Sequence, residues 1–249
     1  SVSPSSLLCW LSLLAAPADT ARSYQVVVGK ADTLWVTETG QGQAVVLIPG
    51  LFGSAYGFRM VLPLLAQSGF RAVAIEPLGT GFSSRPQKAN YSLTAQADRI
   101  ALALELIDAR GAVVVGHSVG ASVAFRLAYR WPALVRGVLS LEGGPAESVM
   151  TPGARAAMRF IPWVKWLGGM KLIRGRIRKG LIETASDSGW VTDEVVEGYT
   201  AGSARDIDKT LKSLLAMAGS KEPEKLKPRL GEIRVPVLLL VGGAFKGGG

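Results

Sequence analysis

Val113-Val114-Val115-Gly116-His117-Ser118-Val119-Gly120 is the stretch that decides the fold. Its β-branched run predicts a strand, and the pattern that follows at once predicts a helix. Between the two stands G-x-S-x-G. In that context the motif predicts a strained strand-to-helix turn that lifts one hydroxyl, that of Ser118, clear of the backbone. Gly116 and Gly120 leave room where Cβ atoms would collide with the turn. The helix opens with free N–H groups and the positive end of its dipole beside Ser118. The string alone says little, because Gly and Ser are common. Its placement between a strand and a helix carries the reading, against the alternative of a plain turn without chemistry.

Composition sets outer bounds. The chain has 249 residues, 48% of them hydrophobic, which suits one sizeable α/β domain with an inserted lid. A single cysteine, Cys9, excludes an internal disulfide and a cysteine-based metal site. The single histidine, His117, adjoins Ser118 in sequence and is poorly placed to act as its base. The net charge of +9 favours acidic surfaces. No nucleic-acid-binding signature accompanies that charge, so nucleic acid is not an expected partner.

Residues 1–21 read as a signal segment. Leu7 to Ala16 is apolar but too short to span a bilayer, and Ala16-Pro17-Ala18 has the small residues of a cleavage site. The chain starts at Ser1 without a basic leader. Export, to the periplasm or outside, is the expectation. A core helix or a membrane anchor, with a cytoplasmic or membrane-associated protein, is the alternative.

Further along, Tyr24–Val28 and Thr33–Glu38 predict a hairpin. Ala44–Ile48 and Ala72–Ile75 are apolar without alternation, as in parallel strands buried on both faces. A helix is expected over 55–68, and another after the cap Ser92, with Leu93, Ala97, Ile100, Leu104 and Ile107 on its apolar face. Gly137–Leu141 predicts one more strand, leading to Glu142-Gly143-Gly144. Residues 146–230 hold helical patterns with no convincing strand. Val235–Val241 returns to a buried-strand pattern. The expected organisation is a signal segment (1–21), a core (22–145), a helical lid (146–230) and a returning core strand (231–249).

This order of motifs resembles the α/β-hydrolase superfamily, in its branch with a single lid. Pro49-Gly50-Leu51-Phe52-Gly53-Ser54 stands where that family has its oxyanion loop. Glu76-Pro77-Leu78-Gly79-Thr80-Gly81-Phe82-Ser83 is similar to the family's D-x-x-G-x-G-x-S, with Glu for Asp. The fold implied is a mostly parallel, doubly wound sheet with an inserted helical lid. The chemistry implied is transfer of an acyl group from a small ester or related substrate to Ser118, then hydrolysis. No cofactor or metal is implied. The oxyanion donors would be the backbone N–H groups of Leu51 and Val119. The serine also separates the chain from dehalogenases and epoxide hydrolases, which place an aspartate at the elbow.

The family's acid has two possible positions. After Val241 come Gly242, Gly243, Ala244 and Phe245, with no carboxylate. After Leu141 comes Glu142, which takes the role by resemblance to haloalkane dehalogenases; a plain loop glutamate is the alternative. In the family the histidine comes from a loop after one further strand, the last strand and helix of that fold being absent from this sequence, and no residue of this chain takes its place. A fragment and a pseudoenzyme both fit, and very low hydrolysis is expected either way. Glu142 or Lys246 as the base fits poorly, because an ordinary carboxylate is a weak base for a hydroxyl.

Between Glu147 and Glu183 the lid has no acidic residue. It carries Arg155, Arg159, Lys165, Lys171, Arg174, Arg176, Arg178 and Lys179, interleaved with aromatic and aliphatic residues. Contact with an anionic membrane is one reading of that pattern. A solvated face over an apolar one is the other. Trp163 and Trp166, with Phe52, are expected at the acyl pocket. Two functions therefore compete: a serine hydrolase, and a non-catalytic hydrolase-like binder with a basic, membrane-facing lid.

Overall fold

A computed structural model describes residues 21–30, 32–164 and 166–243. The signal segment, apart from Ala21, lies outside them, as do Lys165 and Lys246. Seven strands form one sheet: β1 (Arg22–Val27), β2 (Thr33–Thr39), β3 (Gln43–Ile48), β4 (Phe70–Glu76), β5 (Ala112–His117), β6 (Val135–Leu141) and β7 (Val237–Leu240). Their order is β1-β2-β4-β3-β5-β6-β7. The expected hairpin pairs β1 with β2, and β2 runs antiparallel to β4. From β4 to β7 every pairing is parallel.

Parallel strands need crossovers, and helices supply them: α1 (Val61–Gln67), α2 (Leu93–Leu106) and α3 (Val119–Arg130). Successive residues of a strand face opposite sides. Val46, Ile48, Val73, Ile75 and Val114 accordingly join one core beneath α2 and α3. Val45, Leu47, Ala72, Ala74 and Val115 join a second core with Phe58 and Leu62. This two-sided burial is why these strands read as unbroken apolar runs. Ser92 caps α2 as expected, accepting a hydrogen bond from the N–H of Ala95.

The helix expected over 55–68 is two pieces. Ala55–Phe58 is a 3₁₀ turn, and α1 begins only at Val61. Pro63 explains the break. It has no N–H for the carbonyl of Arg59, and in a continuous helix its ring would strike that carbonyl. Restarting at Val61 puts Pro63 in a first turn, where both problems vanish.

Between β6 and β7 run α4 (Pro152–Ala157), α5 (Ile161–Val164), α6 (Met170–Thr184), α7 (Asp193–Ala204) and α8 (Ile207–Gly219), with no strand among the described residues. Two devices bind this helical segment to the core. A Cβ at Gly198 would strike the Tyr56 ring, and one at Gly202 would strike the carbonyl of Gly81, so α7 lies directly on both loops. Tyr56 and Tyr199 meet edge to face at 5.6 Å. The second device is ionic. Arg126 of α3, 1% exposed, faces Glu147 at 3.3 Å and Glu222 at 3.4 Å. Glu222 also accepts the N–H groups of Leu93 and Thr94 at the start of α2, at 2.6 and 3.1 Å. Glu147 accepts those of Leu226 and Lys227, at 3.1 and 2.8 Å.

β7 departs from expectation. Its apolar run predicts burial, yet Val237, Leu238, Leu239 and Leu240 are all exposed. The strand is the sheet edge beyond β6. No described helix covers it.

Candidate active site

Ser118 stands between the end of β5 and the start of α3, with φ 53° and ψ −122°. A positive φ at a non-glycine residue stores about 1–3 kcal/mol and persists only where the surroundings enforce it. Here the Ser118 N–H donates to the carbonyl of Leu141 at 2.9 Å, which clamps the turn to β6. A Cβ at Gly116 would strike the backbone of Gly120 and Ala121. One at Gly120 would strike the carbonyls of Ile48 and Pro49. The Ser118 side chain is exposed, caps nothing and is hydrogen-bonded to no described residue.

The loop after β3 lies against this turn. An ideal Cβ on Gly50 would be 3.3 Å from the Cβ of Ser118. The loop is closed by the Gly53 N–H donating to the carbonyl of Gly50 at 2.9 Å. The N–H of Leu51 donates to no described residue. The N–H of Val119 is the first of α3, where helix geometry provides no partner. Two amides without a described partner thus stand on the two segments that meet at Ser118.

Glu76 holds the loop in place. Its side chain is fully buried at the end of β4. One carboxylate oxygen accepts the N–H of Ala55 at 2.8 Å, and the other that of Phe82 at 2.5 Å. Burial pushes its pKa up to about 7, against the pull of those two donors and of the Arg85 charge. Sequence reading recognised the Glu-for-Asp exchange but gave Glu76 no role. The GxG spacing was the available signal: a Cβ at Gly81 would strike this carboxylate.

Glu142 lies at the end of β6, next to the elbow, and has a positive φ of its own, 52°. Its Oε1 accepts the N–H of Gly242 at 2.7 Å. Its Oε2 is buried with no partner among the described residues. A Cβ at the next residue, Gly143, would strike the carbonyl of Ser118. Ser118 and Glu142, both with positive φ, thus follow adjacent parallel strands. His117 is exposed but crowded by protein atoms, which lowers its pKa; the Glu142 charge opposes that shift. No hydrogen bond joins the His117 ring to Ser118 or Glu142.

Leu51 and Val119 also wall a cavity of about 20 Å³, together with Pro77, Tyr91, Val149 and Met217. That volume holds about one water-sized occupant. Phe52, Trp163 and Trp166 do not line it, and all three are exposed. Sequence reading missed Val149 and Met217, which come from the helical segment and carry no local signal. A larger cleft, about 390 Å³, lies among Arg22, Tyr24, Arg71 and Asp108. It is at the opposite end of the strands and contains none of the elbow residues. Among the described residues no group of three His, Cys, Asp or Glu could hold a metal.

A parallel sheet, a serine on a strained turn and a glycine-rich loop with free amides define a class. The profile described as alpha/beta hydrolase fold matches residues 43–172, just over half of the chain. The chain belongs to that family. An uncharacterized protein of Mycobacterium tuberculosis is 37% identical over 111 residues, which are 44% of this chain and 32% of that protein. Bifunctional epoxide hydrolase 2 of Sus scrofa is 33% identical over 126 residues, 50% of this chain and 22% of that protein. The matches span about a third or less of these relatives' length. Among solved structures, a bromoperoxidase from Bacillus anthracis shares the fold, with a TM-score of 0.69 and 18% identity over 88% of this chain and 80% of that one.

Proposed function

We propose that the chain is a serine hydrolase acting on a carboxylic ester or related acyl compound. The observation that carries this is the exposed, unbonded Ser118 hydroxyl at φ 53°, with the partnerless amides of Leu51 and Val119 on the segments that meet there. In the reaction, Ser118 Oγ bonds to the acyl carbon while its proton passes to a base. The two amides receive the developing oxyanion, each contributing about 3 kcal/mol of barrier lowering. The ester C–O bond then breaks and the alcohol leaves with a proton. Water attacks the acyl-serine, releasing the acid and restoring the hydroxyl.

The unpartnered Oε2 of Glu142 supports the acid role, since a carboxylate there can accept an imidazole N–H and steady the cation that forms. No described group is hydrogen-bonded to Ser118 as a base, so the chain by itself turns over very slowly. Added imidazole tests both points. With p-nitrophenyl acetate and imidazole, the chain should release nitrophenol at least roughly tenfold faster than its Ser118→Ala variant, after subtraction of the solution reaction. Equal rates would reject the proposal.

A further inference from the structure

We propose that the turn carrying Phe160, Trp163, Trp166 and Leu167 docks on the surface of an anionic lipid bilayer. The four side chains are 61%, 62%, 88% and 68% exposed. They recur at helical spacing. Phe160 closes a 3₁₀ turn, Trp163 lies on α5, and the Leu167 N–H donates to the carbonyl of Trp163 at 3.0 Å, continuing the turn. Ile161, between them, is buried. One side of the turn thus anchors it to the protein, and the other is apolar too. Contiguous large apolar side chains left in water mark a contact surface.

The cations around this turn choose the partner. Arg155 lies on α4, Arg159 in the 3₁₀ turn that follows it and Trp163 on α5, so the two cations immediately precede the aromatic turn. The Arg159 guanidinium lies 5.9 Å from the centre of the Phe160 ring. On α6, Arg174 and Arg178 turn to α7, where they meet Thr200 and Asp193. Lys171 and Arg176 are exposed. Neither of these, nor Arg155 nor Arg159, forms an ion pair among the described residues. No acidic residue occurs from 148 to 182 to neutralise them.

Unpaired positive charge calls for an anionic partner. Indole and phenyl rings beside a leucine call for the boundary between headgroups and acyl chains, with the cations at phosphate depth. A nucleic acid strand would need rings arranged along a groove, and rings this exposed line none. The docking requires no turnover at Ser118, so it stands or falls separately from the hydrolase proposal.

Co-sedimentation of the full chain with vesicles tests it. Vesicles of phosphatidylcholine with phosphatidylglycerol should bind the chain, pure phosphatidylcholine should not, and high salt should weaken the binding. Trp163→Ser with Trp166→Ser should lower the partition constant by roughly tenfold or more. Arg155→Gln with Arg159→Gln should lower it by roughly 25-fold, about fivefold for each cation. Both variants should keep the parent's circular dichroism and unfolding midpoint, because the altered side chains are exposed. Failure to sediment with the anionic vesicles would overturn the proposal. So would binding that the tryptophan pair does not weaken, which would place the contact elsewhere in the chain. Light scattering that shows a dimer broken by the tryptophan pair would overturn it in favour of a second copy. Binding to a single-stranded oligonucleotide in place of vesicles would do the same in favour of nucleic acid.

Discussion

Glu76 makes the loop after β3 sensitive to pH. Its carboxyl has a folded pKa of about 7, raised by burial, whereas an unfolded glutamate titrates near pH 4.3. Between those values the folded chain binds more protons than the unfolded one. Stability is therefore fullest below the unfolded pKa and falls as pH rises toward 7. The shift corresponds to roughly 4 kcal/mol. Urea unfolding should show a lower midpoint at pH 8 than at pH 5, and Glu76→Gln should remove most of that difference. An equal midpoint at both pH values in the parent chain would contradict this reading. At this scale the sequence was legible where the signal was local. Gly116, Ser118 and Gly120 stand within five residues, so their spacing alone announces the turn, although Gly120 makes room for the carbonyls of Ile48 and Pro49. Val149 reaches the cavity from the bend before α4 and Met217 from α8, and no spacing announces them.

At the scale of elements, the helical segment is fastened by close approach. Gly202 leaves no space between α7 and the carbonyl of Gly81, and that carbonyl belongs to the loop gripped by Glu76. Gly202→Ala should therefore lower stability by about 1–3 kcal/mol, although alanine is the better helix former. Chemical denaturation measures this, and an unchanged or raised midpoint would show that α7 does not bear on the loop. The strands of the parallel sheet were legible because two-sided burial leaves an unbroken apolar run. The same rule failed for β7, whose run looks like that of β3 but stands uncovered at the sheet edge. Periodicity reports what a residue prefers, not whether a neighbour arrives to bury it. The helix over 55–68 misled for a local reason that could have been read, namely Pro63 four residues after Arg59.

Across the whole molecule, Arg126 joins three regions that are far apart in sequence. It faces Glu147 after β6 and Glu222 after α8, and Glu222 in turn binds the start of α2. Arg126→Met should cost about 3–5 kcal/mol, because it leaves two carboxylates without their partner. Thermal unfolding should record a large fall in midpoint; a change within error would show that water already satisfies those carboxylates. The mostly parallel sheet and the elbow were legible together because the family's motifs follow one another along the chain. This network was not, since its acids lie in a segment whose packing no motif fixes.

Hydrolysis by this chain requires a covalent bond at one oxygen, Ser118 Oγ. Incubation with p-nitrophenyl acetate and imidazole, followed by acid quench and peptide mass spectrometry, measures that bond directly. The expected result is an acetyl group on Ser118, absent from the Ser118→Ala variant. Acetylation confined to lysines, with Ser118 unmodified, would contradict it.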